Sequence, residues 1–201
     1  MNMFFSPAAK ASRRSKLFFL KQYLRNPFGV GAVVPSSQKL AQFIVSLLAP
    51  QTSDVVVELG PGTGVFTREL LSQGVAPANL ILVEFNAEFV KFLRHEFPQV
   101  RVVEGAAQDL PQLLKALGQG PVKRIISGIP LRSMKPSVRD QIAHAVAAAL
   151  VPSGVFVQFS YFKASPLSEP VAAGVGLVGQ CAGAAMSNVP PAFVWQYVKQ
   201  A

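Results

Sequence analysis

Three glycines and two acidic residues form the most distinctive chemical pattern in this sequence. Gly60, Gly62 and Gly64 alternate with other residues directly after an apolar run, and Glu58 stands just before them. Glycine tolerates positive φ angles and has no side chain, so backbone N–H groups in such a loop can approach a bound molecule closely. Glu84 adds a second carboxylate at the end of the next apolar run. The pattern predicts a loop that cradles a ligand.

Glu84 also indicates the kind of ligand. A carboxylate at the end of the second strand accepts hydrogen bonds from the 2′ and 3′ hydroxyls of a ribose and repels an added 2′-phosphate. The glycines are not followed by the Lys-Ser/Thr pair that a P-loop uses to hold a triphosphate, and their spacing differs from the G-x-G-x-x-G of dinucleotide folds. We therefore expect an adenosine-like cofactor with little negative charge.

Alternating strands and helices must position this loop. Residues 55–59 lack polar alternation, which suits a parallel strand covered on both faces. Further strands are predicted at residues 80–84, 100–105, 123–128, 154–161, 176–187 and 192–198, with helices before and between them at 36–49, 65–73, 86–97, 107–118 and 135–150. This order predicts an α/β fold: a Rossmann-like, doubly wound sheet of seven strands joined by right-handed crossovers.

Length and composition are consistent with one intracellular domain. The chain has 201 residues, enough to bury a core without disulfides or metals. A single cysteine, Cys181, cannot form an internal disulfide and is predicted to be a small core residue in the reducing cytoplasm. The first residues do not have the charge order of a secretion signal. A turn predicted at residues 151–154 breaks the uncharged stretch 142–159, and glycines and prolines break the stretch 170–198, so no spanning segment is predicted.

Positive charge is concentrated near the N-terminus. The net charge is +9, and no carboxylate precedes Asp54. The cations in this region alternate with apolar residues that include Leu17, Leu20 and Leu24 at helical spacing. This pattern is typical of an amphipathic helix at an anionic membrane surface, but a packing helix with a solvated basic face and an RNA-binding patch are alternatives. The cations are Lys10, Arg13, Arg14, Lys16, Lys21, Arg25 and Lys39.

The spacing E-x-G-x-G-x-G, with an acid after the second strand, resembles the class I S-adenosylmethionine-dependent methyltransferases. In these proteins two final strands form an antiparallel hairpin that closes the sheet. The resemblance implies S-adenosylmethionine as cofactor: Glu58 steadies the loop and the cationic amino end, and Glu84 binds the ribose. Ala106 replaces the usual adenine-binding aspartate, which leaves Gln108 or Asp109 for that contact. The implied cofactor-binding residues are Glu58, Gly60, Pro61, Gly62, Thr63, Gly64, Glu84, Phe85, Ala107 and Gln108.

A narrower resemblance is carried by several motifs in order. They are "GAVVPSS", "VVELGPGTGVFTREL", "LVEFN", "SGIPL", "VQFSY" and "NVPPAFVW", and together they resemble the small bacterial phospholipid N-methyltransferases that methylate phosphatidylethanolamine towards phosphatidylcholine. The resemblance implies that residues 1–34 form a membrane-docking helix with its following loop, and that residues 35–201 form the methyltransferase domain. It further implies a phospholipid substrate, an anionic membrane partner, a peripheral cytoplasmic location and a monomer when soluble. Neither a metal ion nor a nucleic acid is expected.

The methyl acceptor should lie over the fourth strand, at residues 127–131. Methyltransferases that act on planar adenine or glutamine amines carry an N/D-P-P-Y type motif there, whereas this chain has Ser-Gly-Ile-Pro-Leu. The candidates for orienting or deprotonating an amine are Ser127, Gly128, Tyr161 and Asn188, and those for binding a phosphate are Arg132, Lys135 and Lys163. His95 and His144 fall within predicted helices and are expected at the surface or in packing.

Two other functions remain open from the sequence. One is an enzyme similar to the rRNA adenine N6-dimethylases, which share the predicted fold and a basic charge. The other is a catalytically silent protein that binds lipid or RNA and keeps the cofactor fold. The intact Glu58, Gly60, Gly62 and Glu84 favour an active enzyme.

Overall fold

The computed structural model describes residues 38–186 and 190–201. The predicted N-terminal helix of residues 1–34 and the candidate Asn188 lie outside these residues. The described part contains a seven-stranded sheet. Its strands are β1 (Val56–Leu59), β2 (Leu80–Glu84), β3 (Arg101–Glu104), β4 (Val122–Ser127), β5 (Leu150–Ser160), β6 (Leu177–Ala185) and β7 (Ala192–Lys199).

Helices alternate with the strands as the sequence pattern predicted. They are α1 (Gln38–Leu48), α2 (Val65–Ser72), α3 (Ala87–Glu96), α4 (Leu110–Ala116), α5 (Pro136–Ala149) and α6 (Glu169–Gly174). Local sequence determines where several of them begin. Asn86 caps α3, its side chain accepting hydrogen bonds from the N–H groups of Glu88 and Phe89, and Pro136 occupies the first position of α5, where no backbone donor is needed.

The order of strands across the sheet is β3-β2-β1-β4-β5-β7-β6. Strands β1 to β5 pair in parallel, and β7 pairs antiparallel with both β5 and β6. The predicted Rossmann-like sheet with an antiparallel final hairpin is confirmed. Because β1 to β5 are parallel, their carboxyl ends meet at one edge, and β6 also ends there; we call this the carboxyl edge.

Apolar side chains fill both faces of the sheet. Helices α1, α2 and α3 cover one face, and helices α4, α5 and α6 cover the other. All four residues of β1 are buried, as the lack of polar alternation predicted for a central strand, and the buried residues include Glu58. Among the described residues, no helix has both the length and the apolar character required to cross a bilayer.

Besides helix α6, which the sequence analysis did not predict, two features of the C-terminal half differ from the sequence-based expectations. Cys181 is exposed rather than buried, because β6 is the edge strand of the sheet and most of its residues face solvent. The predicted turn at residues 151–154 is a bulge within β5, where the register against β4 shifts and Ser153 adopts a φ of 61°. Neither difference alters the carboxyl edge.

Candidate functional site

Two loops at the carboxyl edge are joined to the central strands by backbone hydrogen bonds. The glycine loop follows β1, and the acceptor loop, residues 128–131, follows β4. Gly60 N–H donates to Val83 O at 2.9 Å, and Gly128 N–H donates to Leu59 O at 2.8 Å. The main chain itself therefore holds the two loops beside each other.

The glycines of the first loop meet different surroundings. A Cβ on Gly60 would lie 2.7 Å from Cγ1 of Ile129, so this glycine permits the close approach of the acceptor loop. Gly62 has a φ of 55°, and a Cβ there would meet nothing within 4 Å. The open space beside Gly62 is thus where a ligand can approach the backbone. Pro61 and Thr63 are buried, and Gly64 precedes α2 and packs against the Phe97 ring.

Glu84 closes the glycine loop from the neighbouring strand. Its Oε2 accepts from Gly62 N–H at 3.2 Å, and its Oε1 accepts from Asn86 N–H at 2.9 Å. Each carboxylate oxygen has a second acceptor position, so both can still bind ribose hydroxyls. Burial raises the pKa of Glu84, against the effect of its backbone hydrogen bonds. The next residue, Phe85, is 78% exposed and offers an aromatic face beside this carboxylate.

Glu58 lies beneath the loop and is fully buried. Its Oε2 accepts from the Thr67 hydroxyl at 2.6 Å, while Oε1 has no hydrogen-bond partner among the described residues. Burial raises the pKa of Glu58 to about 8, although the hydrogen bond from Thr67 acts in the opposite direction and the nearby Glu84 raises it further. At neutral pH this carboxyl group is therefore mostly protonated, and a cation that enters the site would favour its ionised form.

The acceptor loop is held by Ser127 and Gly128. Ser127 is completely buried, and its hydroxyl oxygen accepts from Ile129 N–H at 3.1 Å. A Cβ on Gly128 would lie 2.6 Å from the carbonyl oxygen of Gly60, so only glycine allows this contact. Ser127 therefore shapes the loop from below, and Gly128 brings it against the glycine loop.

Gln158 is a further residue of the site, and the sequence motifs did not identify it. It lies on β5 opposite Ser127 and is fully buried. Its Nε2 donates to Ile129 O at 2.9 Å and to Phe159 O at 2.6 Å. Gln158 thus fixes the acceptor loop from the neighbouring strand. A single amide within the apolar run "VFVQF" was the signal that could have indicated it.

The other substrate candidates lie around the end of β5. Tyr161 is half-buried, and its ring meets Phe159 edge-on with centroids 5.7 Å apart. Arg132 is exposed, and its Nη1 donates to Ser165 O at 3.2 Å. Lys135 and Lys163 are exposed on the two neighbouring loops. His95 and His144 are exposed on α3 and α5, away from these loops, as predicted.

The residues predicted to contact the adenine have different surroundings in the structure. Ala107 is buried in the core, where it packs among apolar side chains of the α4 and α5 face. Gln108 and Asp109 line a groove of about 630 Å³ that runs between α4 and α5, and Asp140 and His144 are also in its wall. None of the residues that line this groove belongs to the glycine loop.

Charge is divided along the carboxyl edge. The carboxyl ends of β2 and β3 and the loops that follow them, residues 84–86 and 104–109, carry the carboxylates Glu84, Glu104 and Asp109 and no basic residue. The loops after β4 and β5, residues 128–135 and 161–168, carry Arg132, Lys135 and Lys163 and no acidic residue. The half around the glycine loop suits a cationic ligand, and the half around the acceptor loop suits an anionic one.

The chain is similar to known methyltransferases in sequence. The family Ribosomal RNA adenine dimethylase matches residues 33–110. An ornithine lipid N-methyltransferase from Singulisphaera acidiphila is 30% identical over 145 residues, which are 71% of this chain and 76% of that protein. A ribosomal RNA small subunit methyltransferase A from Methylococcus capsulatus is 36% identical over 98 residues, 47% of this chain. The latter match spans only 36% of the relative, less than half its length.

Solved structures share the fold. Magnesium protoporphyrin IX methyltransferase from Synechocystis, solved with bound S-adenosylmethionine, superposes with a TM-score of 0.65 at 12% identity, covering 100% of both chains. A TehB-like S-adenosylmethionine-dependent methyltransferase from Corynebacterium glutamicum gives a TM-score of 0.62 at 16% identity, covering 94% of this chain and 100% of the other. At such identities the likeness concerns the fold alone.

Proposed function

This chain belongs to the class I S-adenosylmethionine-dependent methyltransferases, and on that premise we propose that it methylates the amine of a membrane lipid, phosphatidylethanolamine. The observation that carries the proposal is the division of charge along the carboxyl edge. A cationic cofactor fits the acidic half, and a headgroup that contains a phosphate fits the basic half.

Individual residues in and beside the glycine loop suit separate parts of the cofactor. Glu84 retains acceptor positions for two ribose hydroxyls, and the exposed ring of Phe85 can pack against an adenine. The unpartnered Oε1 of Glu58 and the space beside Gly62 suit the cationic amino end. When bound, S-adenosylmethionine supplies an electrophilic methyl group on a sulfonium.

The proposed role of the residues in and around the acceptor loop is to position the substrate amine. An alkyl amine such as that of ethanolamine is largely protonated at pH 7, as lysine is, and must lose a proton before it can accept a methyl group. The Gly128 carbonyl, the Tyr161 hydroxyl and Asn188 are the groups we propose to orient that amine and its departing proton. Ser127 and Gln158 position the loop instead, because both side chains are buried beneath it. Proximity and alignment supply most of the rate enhancement expected for such a transfer.

The cations of the acceptor half complete the proposed headgroup site. Arg132 and Lys135 follow the acceptor loop directly, and Lys163 follows Tyr161. All three are exposed at the carboxyl edge, where a lipid phosphate could reach them from outside the protein. We place the enzyme at the cytoplasmic surface of a membrane as a peripheral protein, since its substrate would be embedded there.

A second candidate, methylation of ribosomal RNA, is favoured by the family match. That match ends at Leu110, before the acceptor loop, and so concerns the cofactor half of the chain. The acceptor loop itself lacks the N/D-P-P-Y type motif that would bind a planar base. The relative that matches 71% of the chain is named for the N-methylation of a lipid, ornithine lipid. These points favour the lipid.

The test compares acceptors with one preparation of the full chain. Methyl-labelled S-adenosylmethionine is incubated with vesicles that contain phosphatidylethanolamine, with vesicles that contain ornithine lipid, and with ribosomal RNA. We expect label in the phosphatidylethanolamine, and we expect Glu84→Gln to abolish most of it. Label in ornithine lipid alone would replace phosphatidylethanolamine by ornithine lipid as the proposed substrate. Label in RNA alone would refute the lipid proposal. Cofactor binding without any transfer would indicate a catalytically silent protein.

A further inference from the structure

Two apolar side chains stand in solvent on the acceptor half of the carboxyl edge. Phe162, just after β5, is 56% exposed, and Met186, just after β6, is 73% exposed. Strand β7 lies between these strands, and its Phe193 pairs with Ser160 on one side and Ala184 on the other. The two strand ends are therefore separated by two strand spacings, about 10 Å.

Cations accompany Phe162 at this edge of the sheet. The Arg132 guanidinium lies 5.9 Å from the centre of the Phe162 ring, and Lys135 and Lys163 are exposed on the adjoining loops. We call Phe162, Met186, Arg132, Lys135 and Lys163 together the acceptor rim. Apolar side chains flanked by cations are typical of surfaces that bind the interface of an anionic bilayer.

Helix α1 begins on the same side of the molecule. A Cβ on Gly183, near the carboxyl end of β6, would lie 3.1 Å from the Phe43 ring. One turn later in α1, Leu47 O accepts from Gln196 Nε2 at 2.8 Å, further from that edge. The helix thus runs away from the carboxyl edge, and its first residue, Gln38, lies on the same side of the molecule as the acceptor rim.

Either the N-terminal segment, residues 1–37, or a lipid surface could cover the acceptor rim, and the charge of the segment favours the lipid surface. Residues 1–37 contain six cations and no acid: Lys10, Arg13, Arg14, Lys16, Lys21 and Arg25. Placing this segment over Arg132, Lys135 and Lys163 would bring like charges together. An anionic lipid surface attracts the segment and the rim alike.

We propose that the acceptor rim docks directly on an anionic bilayer, with Phe162 and Met186 entering the headgroup region and the three cations meeting lipid phosphates. The inference rests on the proposed function, because docking in this orientation turns the acceptor loop towards the lipid amine. It adds a membrane contact that belongs to the folded domain and is separate from the helix predicted for residues 1–34.

The first test reads the orientation of the domain on the bilayer. Cys181 is the only cysteine of the chain, so Cys181→Ser gives a background for single labelling. An environment-sensitive dye is attached to the new cysteine of Met186→Cys. The matched control is Val178→Cys, which is also on β6 and 57% exposed in the native protein but lies towards the opposite edge of the sheet. On phosphatidylglycerol vesicles we expect a blue shift from the first label and none from the second.

The second test measures affinity for the same vesicles. The double variant Phe162→Gln/Met186→Gln should sediment with phosphatidylglycerol vesicles about tenfold more weakly than the native chain. The control Leu117→Gln/Val178→Gln removes two exposed apolar side chains from the opposite edge and should bind as the native chain does. The rim variant should keep its cofactor affinity, since neither residue touches the glycine loop.

The outcomes separate docking from catalysis. Phosphatidylglycerol carries no amine, so both tests are independent of which headgroup is methylated. Equal dye shifts at the two positions, or equal binding by the two double variants, would overturn the rim as a docking surface even if lipid is methylated. A dye shift with ribosomal RNA and none with vesicles would also overturn it and assign the rim to RNA. Docking without methylation of any lipid would refute the proposed function alone.

Discussion

The Oε2 atom of Glu84 accepts a hydrogen bond from the N–H of Gly62 at 3.2 Å. The carboxylate that should bind the ribose therefore also holds the glycine loop. This bond crosses from β2 to the loop after β1 and joins the two halves of the cofactor site. One side chain thus serves both the ligand and the loop that surrounds it.

Replacing Glu84 should weaken cofactor binding. Glu84→Gln replaces the charged acceptor, and hydrogen bonds to a charged group contribute about 1.5 to 3 kcal/mol. We expect a roughly ten- to hundredfold increase in Kd for S-adenosylmethionine by calorimetry. The matched control is Glu88→Gln, whose exposed carboxylate pairs with Lys91 on α3. Unchanged affinity in Glu84→Gln would remove this residue from the site.

Gly62 should be required for the ligand rather than for the fold. Gly62→Ala and Gly118→Ala place a Cβ in similar open space, at φ angles of 55° and 67°. The backbone strain in the two variants should therefore be alike, about 1 to 2 kcal/mol. Only Gly62→Ala should lose cofactor affinity in calorimetry, while thermal melting should shift similarly in both. Equal affinities in the two variants would mean that the ligand does not approach Gly62.

Gln158 should matter for turnover more than for cofactor affinity. Gln158→Leu leaves the Ile129 carbonyl without its donor, so the acceptor loop should shift. We expect kcat to fall about tenfold, with the Kd for the cofactor nearly unchanged. Gln196→Leu is the control, because it removes a comparable bond to the Leu47 carbonyl on the other face of the sheet. If both variants lose turnover equally, the effect is one of general stability.

Glu58 should make stability depend on pH. Burial raises the pKa of Glu58 to about 8 in the folded protein, against an ordinary value of 4.5. The folded state therefore binds this proton more tightly than the unfolded state does. The stabilisation is complete below pH 4.5 and is lost as pH rises towards 8, with a slope of at most about 1.4 kcal/mol per pH unit. Urea unfolding from pH 5 to 8 should show this decline in the native chain and a smaller one in Glu58→Gln. Identical slopes would contradict a protonated Glu58.

Much of the fold follows from local patterns in the sequence. Short runs rich in apolar residues identify the parallel strands, and Asn86 marks the start of α3. The glycine spacing and Glu84 locate the ligand loop, because loop geometry and strand ends follow from sequence order alone. Features that depend on strand pairing do not follow from local patterns: Gln158 reaches Ile129 only because β5 lies beside β4, and Cys181 is exposed only because β6 is at the edge.

The direction of individual side chains is also hidden from local patterns. Ser127 was a candidate to contact the amine, but as the last residue of β4 it points into the layer beneath the acceptor loop. Gln108 was assigned to the adenine, yet it lines the groove between α4 and α5. Both roles stay predictions, and the surroundings of these two side chains could not be read from the residue types alone.

The backbone bonds from Gly60 to Val83 and from Gly128 to Leu59 bear on how such an enzyme could change over evolution. They join the glycine loop and the acceptor loop to the central strands through main-chain atoms, which most substitutions leave unchanged. Substitutions after Ile129 can therefore alter which molecule is accepted while the methyl donor stays where it is. A lineage with this scaffold could exchange one acceptor for another in single steps, each intermediate remaining folded and able to bind its cofactor.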